Sequence, residues 1–349
     1  MTALSALRSA EAAGVQRVQR RRAPVTATTA AAAVLLGLVA LGIGDYPLSL
    51  PAVVHAIAHD DGFATVVVVQ WRLPRVAAAL AFGAALAAAG ALFQSLTRNP
   101  LGSPDVIGFA TGSYTGVLIV TTLLAGTPLD GTLGIAGGSM AGGLATAFLV
   151  YALAYRRGIC GMQLIVTGIA VTAMLHAVNV WLQLRTQVEV AMSASVWAAG
   201  TLGTVDWTGL APALAVLAVC GVGVAAAIRP LQQLELGDAA AASHGVRVGA
   251  ARLWILVLGV ALTAVVTAVT GPIAFVALAA PQLAKRMVGG AGLPLAQSAL
   301  TGAVLLLTAD LVAQYALPQA VPVGVVTVVV GGCYLVVLLL RGARRRQGR

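Results

Sequence analysis

Residues 70–113 read QWRLPRVAAALAFGAALAAAGALFQSLTRNPLGSPDVIGFATGS. From 74 to 96 this stretch is almost entirely Ala, Leu, Gly and Phe, close to the roughly 20 residues a helix needs to cross a bilayer. It lacks the apolar–polar alternation of a membrane strand. In lipid only a helix satisfies its backbone within one segment. Small residues crowd the run, as they do in GIAGGSMAGGLATA at 134–147. They let helices approach closely where hydrophobicity cannot drive association.

The same composition extends to both ends of the chain. Of 349 residues, 59% are hydrophobic and 9% charged, and mean hydropathy is +0.95. A soluble domain carries about 25% charged residues, so this chain lacks the polar atoms to cover a globular surface. Apolar runs recur at about 25–44, 74–96, 106–125, 132–154, 162–184, 208–228, 252–270, 272–288, 294–317 and 322–340. The fold expected is all-α, a polytopic integral membrane protein of about ten transmembrane helices. The 272–288 run is short and begins at Gly271-Pro272, which reads as a broken or shallow helix.

The net charge of +10 does not point to nucleic acid, because the basic residues sit in short tracts between apolar runs. With ten spans and the amino terminus inside, 18 of the 21 basic residues fall on the cytoplasmic side. Only Arg72, Arg75 and Arg185 fall outside, with Asp45, Asp60, Asp61, Asp130, Glu189 and Asp206. This positive-inside bias predicts a multi-pass protein of the cytoplasmic (inner) membrane with both termini cytoplasmic. Residues 1–24 form a basic tail, 25–341 the transmembrane domain, and 342–349 a second basic tail. The first tail is too long, and lacks too clear a small-residue cleavage site, to read as a signal peptide. Loops at 45–73 and 186–207 outside and 229–251 inside are too short to bury cores of their own. His55 and His59 beside Asp60 and Asp61 read as a solvated loop, since no further metal ligand follows at fixed spacing. Cys160, Cys220 and Cys333 form neither a disulfide framework nor a zinc site.

The chain holds no phosphate loop. Its only lysine, Lys285, lies between Ala284 and Arg286, without the Gly-Lys-Ser/Thr frame such a loop requires. No cofactor is expected here; any ATP is bound by a partner subunit, and the chain itself is not an enzyme. Asp310 lies inside an apolar run, where a charge faces the bundle interior. With no second buried carboxylate apparent, it reads as an interhelical hydrogen bond or cap before an ion-coupling residue. Arg72 and Arg75 run against the positive-inside bias, which favours docking an acidic partner over snorkelling. Pro74 restricts Leu73 to extended backbone, so this segment is expected to stand off the helix with both guanidiniums in water. Asn99-Pro100-Leu101 reads equally as a helix break or as the inner mouth of a pathway. The segment 234–248, with Leu234, Leu236, Gly237, Asp238 and Gly245, is long enough for two short helices.

The opening stretch, with RLPR, a glycine-rich run, Gln94 and NPL, resembles the signature of the FecCD family. These are the permeases of bacterial siderophore, haem and cobalamin ABC importers. Matching segments follow in order from about 45 to 341: LELGDAAAASHGV at 234–246, GPIAFVALAAPQLAKR at 271–286, Ala309-Asp310, and VPVGVVT at 321–327. The resemblance implies a transport subunit for iron–siderophore complexes, with haem or cobalamin as alternative cargo. An ion-coupled secondary transporter is the rival class. The family resemblance implies a second permease subunit, a related but different chain or an identical one, two ATP-binding subunits, an extracytoplasmic siderophore-binding protein, surrounding lipid, and no nucleic acid. It also makes 234–248 the segment that couples to the ATPase. Three positions depart from the family: Gln282 for a histidine, Ala277 for a glycine, and Gln314 for an arginine.

Overall fold

The computed structural model describes residues 2–59, 61–127, 131–154, 161–289 and 292–347. Asp60, Asp130, Arg156, Arg157, Cys160 and Arg349 of the sequence reading lie outside these. Every regular element among the described residues is helical. Helices α1 (Thr2–Gly42) and α2 (Leu50–Ala58) precede α3 (Phe63–Thr65), which runs through a π-helical stretch, Val66–Arg72, into α4 (Leu73–Thr97). After a 3-10 turn at Pro104–Ile107 come α5 (Phe109–Leu123), α6 (Thr132–Ala154), α7 (Gly161–Arg185) and α8 (Val188–Ala198). Next are α9 (Trp207–Glu235), α10 (Asp238–Ser243), α11 (Val248–Thr270) and α12 (Val276–Val288). Then come α13 (Leu295–Leu311), prolonged by π-helical Val312–Ala316, and α14 (Val323–Gln347).

Among the described residues, seven stretches are long and apolar enough to cross a membrane: Arg22–Gly42, Phe63–Thr97, Leu133–Ala154, Met162–Arg185, Trp207–Glu235, Val248–Thr270 and Leu295–Ala316. Three of the ten expected spans are shorter. The 106–125 run yields the 15-residue α5, because Pro104 and left-handed Gly108 (φ 83°) occupy its start. The 272–288 run yields the 13-residue α12, with Phe275 at φ 68° just before it. The apolar part of α14 is Val323–Val337.

Other expectations need correction. The segment 45–73 is not a loop, since it holds α2 and the start of the Phe63–Thr97 helix. Leu73 is helical (φ −62°, ψ −46°) instead of extended, and its N–H bonds to the Val68 carbonyl five residues back. The wider π-helical turn accommodates Pro74, which removes a donor and would crowd an ordinary helix. Likewise 186–207 holds α8, and 234–248 holds one short helix, α10, instead of two.

Helix α4 is the axis of the bundle. Every residue from Ala85 to Thr97 is buried, against α11, α12 and α13. The packing depends on absent side chains. A methyl at Gly83 would strike the Gly302 carbonyl of α13, and one at Gly90 the Ala277 carbonyl of α12. Exposed Leu35, Phe148, Met174, Val219 and Val329 cover the outside of the bundle, the pattern expected where lipid or another subunit is the solvent.

Candidate functional site

Three polar clusters interrupt the apolar bundle. At the N-terminal end of α4, Arg75 Nε and Nη2 donate to Asp310 Oδ2 and Oδ1, both at 2.9 Å. Gln314 Nε2 donates to the same Oδ2 at 2.9 Å. Asp310 is 3% exposed, so this fork-to-fork pair, strong by geometry, ties α4 to α13 inside the bundle. Arg72 Nη1 and Nη2 donate to the carbonyls of Leu41 (2.8 Å) and Tyr46 (2.7 Å). The two guanidiniums were expected to point to water; the continuous helix turns Arg75 inward to Asp310, whereas Arg72 holds its two carbonyls at the partly exposed edge of the bundle. Among the described residues Arg72 pairs with carbonyls and with no carboxylate. Arg72 and Arg75 line a cavity of about 330 Å³ with Asp206, Asp310, Gln314 and Tyr315. The Gly209 N–H and the Thr208 hydroxyl hold the Asp206 carboxyl below the usual carboxylate range, so the rim carries fixed charges of both signs.

At the other end of α4, Arg98 is the C-cap in left-handed conformation (φ 51°). Asn99 Oδ1 accepts the Leu101 N–H at 2.9 Å, an Asx turn around Pro100. Asn99, Pro100 and Leu101 line neither of the two large cavities. Asp238 opens α10 and pairs with Arg98 (2.7 Å) and Arg252 (2.8 Å). Gly237 (φ 115°) and Gly245 (φ 81°) flank α10 in conformations that suit only glycine. Leu234 is buried, whereas Leu236 is 71% exposed.

The third cluster escaped the sequence reading. A cavity of about 600 Å³ opens along α5, α7 and α14, with mostly apolar walls. Its polar lining is Thr111 and Tyr114 from α5 and His176, Asn179 and Gln183 from α7. Gln183 Nε2 bonds the Tyr114 hydroxyl at 2.5 Å, and Asn179 Nδ2 donates to the Thr111 carbonyl at 3.4 Å. A signal was present: His176, Asn179 and Gln183 recur at i, i+3 and i+7, one face of a helix. Three further contacts were also missed. Asp105 accepts the Phe275 N–H, holding the break before α12. Buried Gln94 donates to the Leu278 carbonyl at 3.0 Å and accepts from Gln282 at 2.6 Å. Gln282, where the family pattern has a histidine, donates toward α4.

His55 stacks on His59 with ring centroids 4.7 Å apart, and its Nδ1 lies 3.3 Å from Asp61. Among the described residues no group of three potential metal ligands forms.

The profile of the FecCD transport family matches residues 32–341. The chain is 44% identical, over 94% of its length and 99% of the relative's, to the ferric enterobactin transport system permease protein of Escherichia coli K12. It is 37% identical to the Fe(3+) dicitrate transport system permease protein of the same organism, covering 79% and 85% of the two chains. To the hemin transport system permease protein of Yersinia pestis it is 36% identical, covering 79% and 84%. A solved metal-chelate-type ABC transporter in an inward-facing conformation superposes with a TM-score of 0.80 at 27% identity, over 91% of this chain and 99% of that one. With its helical bundle and a family match spanning nearly its whole length, this chain belongs to the FecCD transport family.

Proposed function

We propose that this chain is the membrane-spanning permease subunit of an ABC importer that carries iron–siderophore complexes into the cytoplasm. The observation that carries this reading is the end-to-end similarity to a ferric enterobactin permease. ATP would be hydrolysed by two separate subunits, in keeping with a sole lysine that lies outside any phosphate loop. A second permease subunit would cover the exposed apolar faces and close the 600 Å³ cavity into a pathway. Counting α5, α12 and α14 as short or partial spans gives ten. In the complete transporter, ferric enterobactin uptake should stop on ATP depletion with the proton gradient intact. Persisting uptake would make the chain a secondary transporter.

The charge bias supports an orientation with both termini cytoplasmic and the Arg75 end of α4 outside. Ser193 and Ser243 are both exposed. A cysteine at Ser193 should react with an impermeant maleimide in intact cells, and one at Ser243 only after lysis. The reverse result would invert the topology.

In that orientation Arg72 and Arg75 face an extracytoplasmic binding protein. Arg75 is held by Asp310, so the docking charge falls chiefly to Arg72. Rim charges act mainly on association rate and salt dependence, and an exposed pair contributes about 0.2–1 kcal/mol. Arg72→Glu should weaken binding-protein affinity several-fold at low salt, with the difference shrinking at high salt. Equal affinity at both would make Arg72 a purely internal anchor for the α1–α2 connection.

A further inference from the structure

Arg98 and Phe275 are the two non-glycine residues with positive φ among those described. A left-handed C-cap is ordinarily glycine, because any side chain is strained there. A retained strain of this kind points to something the side chain does. Here Arg98 Nη2 reaches out of α4 to Asp238 Oδ1 at 2.7 Å and to the Leu234 carbonyl at 3.1 Å. One turn earlier, Ser95 Oγ donates to Glu235 Oε1 at 3.2 Å. The same oxygen accepts the Leu293 N–H at 3.4 Å. Arg252 of α11 shares Asp238 Oδ1. The end of α4 therefore grips both carboxylates of the turn between α9 and α10.

What α4 does with that grip follows from its other contacts. Its glycines meet the backbones of α12 and α13 with no side chain between, and Arg75 fixes its far end to Asp310. A close-packed helix held in this way moves as a body, because packed interiors shift between discrete arrangements instead of deforming. We propose that Arg98 is a positioning residue that fastens the coupling turn to α4. A displacement imposed on α10 by an ATP-binding subunit would then reach the Arg75–Asp310 cavity through α4. This rests on the reading of 234–248 as the coupling segment.

The test uses the complete transporter in proteoliposomes, with ferric enterobactin as cargo. Arg98→Met keeps side-chain length and the same backbone strain but removes the donors. Transport per ATP hydrolysed should fall about ten-fold, within the range carried by residues between coupled sites. Arg98→Lys, which keeps the charge, should recover most of it. A cysteine at Tyr315, in the far cavity, should show nucleotide-dependent labelling that Arg98→Met abolishes, an effect that a local capping role would not produce. A parallel variant, Leu236→Glu, tests the coupling segment at an exposed side chain outside the clamp. If Leu236→Glu uncouples transport while Arg98→Met keeps the wild-type ratio and labelling, the Arg98 proposal is wrong and the coupling segment stands. If neither variant alters the ratio, the coupling reading falls and the proposal with it. Should Arg98→Met fail to assemble, Asp238→Asn removes the charge on which both arginines converge while keeping the shape. A wild-type ratio there overturns the proposal.

Discussion

Asp310→Ala is expected to yield a permease that unfolds far more readily in detergent than the wild type. The Asp310 side chain is 4% exposed and its carboxylate accepts three hydrogen bonds, two from Arg75 and one from Gln314. Alanine removes all three. It leaves the Arg75 guanidinium, whose side chain is 24% exposed, without a counter-charge between α4 and α13. Breaking one side of a buried pair costs about 3–5 kcal/mol, because the remaining charge is still desolvated. Against a total stability of about 5–15 kcal/mol, that is a large share. The double variant Arg75→Met with Asp310→Leu should regain much of the loss, since well-packed apolar residues often replace a buried pair at little cost. Thermal unfolding of the purified variants measures both. An Asp310→Ala protein as stable as wild type would mean that the pair holds nothing together. A stable double variant with unaltered binding-protein affinity would assign the pair to architecture alone.

The contrast between this pair and its reading in sequence shows which information a chain carries locally. The apolar runs, their helical character and the break near Gly271-Pro272 were legible, because each depends on neighbouring residues. The partnership of Arg75 with Asp310, 235 positions apart, was not, because no local pattern encodes which distant helix packs beside which. Asp310 was recognisable as a residue needing a partner; Arg75 was assigned to water because Pro74 suggested a helix boundary. That inference failed when the π-helical turn at Val66–Arg72 let the helix continue past the proline. Counting spans by apolar length met a different obstacle, since three of the expected runs yield helices shorter than a full span. Gly108 and Phe275 take positive φ and interrupt runs whose hydropathy continues through them. The lining of the larger cavity lay between these cases. The spacing of His176, Asn179 and Gln183 was readable, but the matching polar groups on α5 became meaningful only once the two helices stood side by side.

The close packing of α4 against α12 predicts the other large effect. Gly90→Val should destabilise the bundle strongly, because the new Cβ would overlap the Ala277 carbonyl. That obstacle is backbone, so it cannot rotate away like a side chain, and the two helices must separate. Separation acts on more than packing. Gln94, one turn along the same face, donates to the Leu278 carbonyl at 3.0 Å and accepts from Gln282 at 2.6 Å. A shift of about 1 Å would carry the first of these beyond useful hydrogen-bond length. Overpacking costs about 1–3 kcal/mol, and a buried amide left unsatisfied about 1–3 kcal/mol more. Both penalties arise from one displacement, so they are coupled and need not add. Gly221→Val on α9 is the matched control, since its Cβ would meet nothing within 4 Å. A surface change of that kind should stay within about 0.5 kcal/mol of wild type. Thermal unfolding midpoints of the two purified variants decide the matter. Gly90→Val should unfold well below Gly221→Val, and equal midpoints would show that α4 and α12 do not meet backbone to backbone at Gly90.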